Sequence, residues 1–469
     1  MSDQPRGTKL RSSIAAYLQA RVLVMLALGF SSGLPLLLVF GTLSAWLRQV
    51  GISRTAIGVF SYVGLSYAFK FLWAPLVDQV RLPLIGAWLG KRRAWIFASQ
   101  CLVIVCLVGI AFCNPSEMLP QLAVLAVVLA FSSATQDICI DAWRIEAALD
   151  QRTMATAYQL GYRLALIAAS AGALIVAQNV SWRAAYLTMA VLMGAGIATT
   201  LLAPRPDDTP EAIVGEHVVE SLAKELGVHG AVMRALEWLY RAAVAPFVDF
   251  FAKHGWYALF ILALIGTYRL SDFVMGVMAS NAFYIDLGYS LEIIAAVVKF
   301  AGIWMTILGV LVGGASLMRF GTTRSLLIGI VAAIIANLVY AWLATRHGSV
   351  SSLAVALGTE NFASGFAGTA LIAYMSGLTS HAFTATQYAL FSSFYALPGK
   401  LLGGTSGWMV DWYTRHPSVA AALVGSDAIT AGGKAAGYVP FFVSTAAMSL
   451  PALVLVLFLL RRERLPQAR

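Results

Sequence analysis

The chain has 469 residues, of which 59% are hydrophobic and 12% charged, with a formal net charge of +10. A soluble domain of this length carries about twice that charged fraction, so the composition excludes ordinary soluble folds. The basic residues fall in short loops rather than in one patch, which makes the positive balance a matter of membrane topology and excludes nucleic acid as its partner.

Arg6, Lys9, Arg11 and Arg21 precede the first long apolar run. That run is too long for a signal peptide and has no clean cleavage site, so it reads as an uncleaved first helix. A spanning helix needs about 20 apolar residues. Such segments are predicted at 22–47, 55–77, 94–113, 120–143, 153–178, 183–203, 256–282, 291–317, 323–345, 350–379, 382–410 and 437–460. With the N-terminus inside, the inner loops collect Lys91, Arg92, Arg93, Arg144, Arg205, Arg319, Arg324, Arg461 and Arg462, among others. The outer loops hold only Arg48, Arg54, Arg183, Arg346, Arg415 and Lys434. This asymmetry predicts both termini on the cytoplasmic side.

Cys101, Cys106, Cys113 and Cys139 all lie in the third and fourth spans. They read as small core residues, with neither a disulfide framework nor a metal-ligand spacing. Between the sixth and seventh spans runs one long polar stretch, opened by Pro204, Pro206, Asp207, Asp208 and Pro210. Within it Val232, Leu236, Leu239, Tyr240 and Ala243 recur at helical spacing, which suggests an amphipathic helix on the inner membrane face. The expected organisation is therefore a six-helix bundle over 1–204, a cytoplasmic linker over 205–254 and a second six-helix bundle over 255–469.

The two halves show weak internal similarity. APLVDQVRLP and GKRR follow the second span, and GASLMRFGTTR follows the eighth; MATAYQ opens the fifth span and FTATQY the eleventh. Asp78, at the inner end of the second span, is suited to pair with Arg93 and to face the positive N-terminus of a helix from the other half. With Arg144 these residues form the candidate gate.

Charges inside spans are costly and usually serve a function. Asp137 and Asp141 are four residues apart on one helical face. Two like charges that close cannot both ionise cheaply, which points to one of them carrying a proton. They are the candidate proton-coupling pair, with Asp272 a third candidate in the second half. Their structural alternatives are ion pairs, Asp137 with Arg163 and Asp141 with Arg144 or Arg93. Arg163 and Arg269 lie near the predicted midplane. With Lys299, Lys70, Tyr162, Gln136, Gln159 and Asn361 they make a candidate cavity lining for an anionic or zwitterionic solute. Arg269 and Asp272 can also neutralise each other, and Lys70 and Lys400 can snorkel toward an interface. No phosphate-binding loop, nucleophile elbow or zinc-protease motif occurs, so neither an ATP-driven pump nor an enzyme is expected.

Six spans, a linker and six spans is the layout of the major facilitator superfamily, an all-α integral membrane fold of two six-helix halves. The stretches GFSSGLPL (29–36), KFLWAPLVD (70–78), GKRRAW (90–95), SATQDICIDAWR (133–144), GYR (161–163), APRP (203–206) and FTATQYALFSS (383–393) resemble the AmpG-type anhydromuropeptide permease family. Two of them are also similar to the acetyl-CoA transporter family. The resemblance implies a proton-coupled inner-membrane importer of N-acetylglucosaminyl-1,6-anhydro-N-acetylmuramyl peptides for peptidoglycan recycling and, through that flux, β-lactamase induction. The expectation is a monomer that uses the proton gradient and no cofactor. The alternatives are an acyl-CoA or other organic-anion transporter of the same fold and a non-transporting membrane receptor.

Overall fold

The computed structural model describes residues 19–52, 63, 65–148, 150–205, 240, 244–279, 281–346, 348–433 and 436–464. Every regular element among them is helical. Nine helices among the described residues are long and apolar enough to cross a membrane: Ala20–Gln49, Lys91–Phe112, Leu119–Glu146, Gln151–Asn179, Trp182–Leu202, Tyr257–Met278, Ile303–Phe320, Thr322–Leu343 and Tyr438–Glu463.

The other three predicted spans are also helical. The stretch predicted as 55–77 is broken: Leu65–Phe69, a tight turn at Lys70–Leu72, then Ala74–Gln79. Its first part, 55–62, lies outside the described residues, as do Val232, Leu236, Leu239 and Ala243 of the expected amphipathic helix. Val350–Leu378 is one unbroken helix that carries Glu360 and Asn361, and Thr384–Gly403 contains Pro398.

Packing divides the chain into two compact units. The first comprises 1–256 together with Ser376–Ser393, and the second 257–375 together with 394–469. In the first unit the Ala20–Leu37 and Gln151–Ile167 helices lie in close contact because small residues meet: a side chain at Gly161 would overlap the carbonyl of Leu26. Both helices then pass through a π-helical turn, Leu38–Thr42 and Ala168–Gly172. Such a turn displaces backbone hydrogen bonds, and here the Thr42 hydroxyl donates to the Ala169 carbonyl at 2.7 Å. The apolar core of this unit includes Trp46, stacked on Trp182 at 5.7 Å. The second unit repeats the glycine contact: a side chain at Gly365 would overlap the Thr306 carbonyl. Its core is aromatic, built on Phe283, Tyr340 and Phe442.

Candidate functional site

The first unit holds a buried polar network centred on the Leu119–Glu146 helix, in which every residue from Ser132 to Ile145 is buried. Residues four apart share a helix face, so Asp137 and Asp141 project to the same side. Their surroundings differ. Asp137 accepts a hydrogen bond from the Ser32 hydroxyl at 2.5 Å, and Ser32 is 3.1 Å from the Tyr158 hydroxyl. Asp141 stands between two cations, Arg144 at 3.1 Å and Lys70 at 3.8 Å. Arg144 is fully buried. It donates to the Ser376 hydroxyl at 2.5 Å and lies over the Tyr388 and Tyr158 rings, 4.8 and 5.3 Å from their centroids. Beside this set, Gln136 and Gln100 both donate to Ser31, and Thr200 donates to Gln100.

A second cluster lies in the same unit. Arg92 binds Asp78 at 2.7 Å and Glu146 at 2.6 Å, with further bonds from its Nε to both Glu146 oxygens. Asp78 also caps the Thr384–Gly403 helix: the backbone N–H of Ala385 and Thr386 and the Thr386 hydroxyl donate to it at 3.2, 2.7 and 2.5 Å. A carboxylate at this position satisfies donors that the first turn leaves unpaired and meets the positive end of the helix dipole. Thr384 bonds both Arg92 and Glu146. Gln387 ties the same turn to Asp249 at 2.9 Å.

The expected Asp78–Arg93 pair is not what forms; Arg92 takes that place. Adjacent residues on a helix point about 100° apart, so only one of the paired basics can face Asp78. Arg93 instead donates to the carbonyls of Leu89, Leu201 and Ala203, where it serves the C-terminus of the Trp182–Leu202 helix. Of the partners considered for Asp141, Arg144 is present, and the second is Lys70 rather than Arg93. Lys70 is 8% exposed. Its ammonium is drawn inward by Asp141 and does not snorkel outward.

In the second unit Arg269 sits at a break between Tyr257–Tyr268 and Leu270–Met278 and pairs with Asp272 at 2.6 Å. It also donates to Ser364 at 3.1 Å. The mutual neutralisation considered for these two is the arrangement found. Asn361 donates to Glu360 and accepts from Thr306. The side chain of Lys299 lies outside the described residues, its backbone falling in the Val298–Gly302 π turn. In the first unit Gln159 is buried, and Tyr162 and Arg163 are half-buried on the Gln151–Ile167 helix. Lys400 is exposed.

Several residues of these networks escape sequence reasoning. Ser31 and Ser32 are short hydroxyls in an apolar helix, and Glu146 lies where a loop was expected. Arg92, Thr384 and Thr386 sit inside GKRRAW and FTATQY, and those two stretches were the available signal.

A family model for the Major Facilitator Superfamily matches residues 22–403. The chain is 36% identical to the anhydromuropeptide permease of Escherichia coli strain K12 over 414 residues, covering 87% of this chain and 78% of that protein. It is 30% identical to the AmpG 4 protein of Rickettsia felis over 444 residues, 94% of this chain and 96% of that one. Among solved structures it is similar in fold to the proton:xylose symporter XylE, with a TM-score of 0.60 at 14% identity over 95% of this chain and 96% of that one.

Proposed function

Because the chain belongs to the AmpG-type anhydromuropeptide permease family of the Major Facilitator Superfamily, we propose that it carries anhydromuropeptides across the inner membrane, from periplasm to cytoplasm, in symport with protons. In this reading both termini are cytoplasmic, the protein works as a monomer by alternating access, and the product enters peptidoglycan recycling and β-lactamase induction. The observation that carries the proposal is the unequal setting of the two carboxylates in the first unit. Asp137 faces the neutral Ser32 hydroxyl, whereas Asp141 is held by Lys70 and Arg144.

The unequal setting gives a division of labour. Asp137 is the proton carrier, since a carboxylate among hydroxyls can change charge without breaking an ion pair. Asp141 keeps Lys70 and Arg144 in place until a substrate carboxylate competes for them. Guanidinium holds a carboxylate in bidentate fashion and stacks on aromatic faces, so Arg144 between Tyr158 and Tyr388 suits a solute that carries both a peptide carboxylate and sugar rings. Arg163 and the paired Arg269 are secondary candidates for substrate contact.

Counterflow tests the substrate. Proteoliposomes preloaded with unlabelled anhydromuropeptide are expected to take up the radiolabelled compound transiently. Excess anhydromuropeptide should suppress that uptake, and acetyl-CoA should not. Equal competition by acetyl-CoA would assign the chain to the organic-anion reading, and binding without counterflow to a receptor.

A further inference from the structure

We propose that Tyr67 and Ser133 hold a buried water against Asp137, with Gln136 as a third anchor, and so form the entry path for its proton. The inference rests on the symport reading above and adds the residues that deliver the proton.

The hydroxyls of the Leu119–Glu146 helix are not all used alike. Ser132 donates to the Val128 carbonyl at 2.7 Å and Thr135 to that of Phe131 at 2.8 Å, the common use of a hydroxyl inside a helix. Ser133 is 0% exposed and makes no such bond. Gln136 is equally buried. Its amide nitrogen donates to Ser31, while its Oε1 has no hydrogen-bond partner among the described residues. The Tyr67 hydroxyl, from the broken second span, is a third buried oxygen of this kind. It lies beside the Ser133 hydroxyl and within the field of Asp137, yet no hydrogen bond of normal geometry joins Tyr67 to Ser133.

Helix spacing sets these oxygens beside the carboxylate. Ser133 lies three residues from Gln136 and four from Asp137, so the three share one face. Asp137 accepts the Ser32 bond on Oδ1, and no described hydrogen bond reaches its Oδ2. Asp137 keeps 7% exposure where Ser133 and Gln136 have none, so a water-sized sphere reaches it. An unbonded buried polar group is costly, and a buried water typically makes about three hydrogen bonds to such groups. Two hydroxyls, an amide oxygen and a carboxylate oxygen supply that set. The other charged or titratable groups around Asp137 are Lys70 from the second span, Asp141 and Cys139 on its own helix, and Tyr158 through Ser32. Lys70 pairs with Asp141.

In the transfer the water gives a proton to Asp137 Oδ2 and takes one from the next water outward. The water is restored and only the carboxylate changes charge; Tyr67 and Ser133 position the water and keep their own protons. Ser133 precedes Asp137 in the helix that ends at Glu146, and Tyr67 precedes Asp78 in the second span. Both therefore lie on the side of Asp137 away from the Arg92 cluster, the periplasmic side in the topology proposed above.

Tyr67→Phe and Ser133→Ala each remove one oxygen that gives the fold no hydrogen bond of normal geometry, so folding should survive. Purified full-length variants in proteoliposomes are compared with wild type by counterflow and by accumulation of radiolabelled anhydromuropeptide under an inward proton gradient. Pyranine in the lumen reports substrate-driven proton entry. Counterflow needs no net proton movement and should stay close to wild type. Accumulation and proton entry should both slow on the order of tenfold, the effect of one hydrogen bond lost in the transfer step. Tyr67→Phe decides alone if Ser133→Ala folds poorly. Accumulation at the wild-type rate in the variants, or a parallel loss of counterflow and accumulation, would overturn the relay and leave the symport reading standing. Counterflow without accumulation in the wild type would overturn the symport reading and the relay with it.

Discussion

Asp137→Asn is expected to abolish accumulation of substrate against its gradient while exchange continues at a measurable fraction of the wild-type rate. Asparagine keeps the size of the side chain and an acceptor for Ser32, which bonds Asp137 at 2.5 Å. It cannot gain or lose a proton. The polar network around Ser31, Gln100 and Gln136 is untouched by the change, so folding should survive. Asp141→Asn should behave differently. It strips a carboxylate from Arg144 and Lys70, and leaving a buried charge without its partner costs roughly 3–5 kcal/mol. Exchange and accumulation should fall together, with a lower yield of folded protein. Parallel uptake and exchange assays in proteoliposomes separate the two. If Asp137→Asn accumulates substrate as wild type does, the proton assignment is wrong.

The second large effect is expected at the Arg92 cluster. Asp78→Ala removes the acceptor of three hydrogen bonds from the first turn of the Thr384–Gly403 helix and one of the two carboxylates on Arg92. Arg92→Gln removes the charge that joins Asp78 to Glu146. In the proposed cycle this cluster holds the cytoplasmic gate closed. A loss of even about 1.4 kcal/mol shifts a two-state ratio tenfold, and removing one partner of a buried pair costs more than that because the other charge is left uncompensated. Both variants should therefore cut uptake at least tenfold. Arg93→Gln should stay much closer to wild type, since Arg93 meets only backbone carbonyls among its described hydrogen bonds. Spin labels at Leu84 and His381, both exposed, should report a broader distance distribution in Asp78→Ala and Arg92→Gln. Unchanged distances with lost transport would remove the gate role.

The contrast between Arg92 and Arg93 shows what sequence could and could not decide. Hydropathy located the spans well because a helix that crosses a bilayer must be apolar over most of its length. Lys91–Phe112 and Trp182–Leu202 fall within a few residues of the predicted segments. The break at Lys70–Leu72 comes just before Pro75 in the first turn of Ala74–Gln79; proline has no N–H to continue a helix and disfavours helical backbone before it, a signal that hydropathy alone passes over. The pair Asp137 and Asp141 was visible from spacing alone. Their different partners were not, since Ser32 and Lys70 come from helices distant in sequence. Choosing between two adjacent arginines needs the rotation of the helix, which a hydrophobic pattern on a span apolar nearly all round does not define. The grouping of Ser376–Ser393 with the first unit likewise follows from contacts at Asp78, Glu146 and Arg144 that no local pattern reveals.

The most direct test of proton-coupled muropeptide transport is accumulation by the purified chain in proteoliposomes with a lumen more alkaline than the bath. Radiolabelled anhydromuropeptide should concentrate inside above its external level, and a protonophore should return it to equilibrium. Equilibration to the same level with and without the gradient, while counterflow persists, would contradict the account and make the chain a passive facilitator.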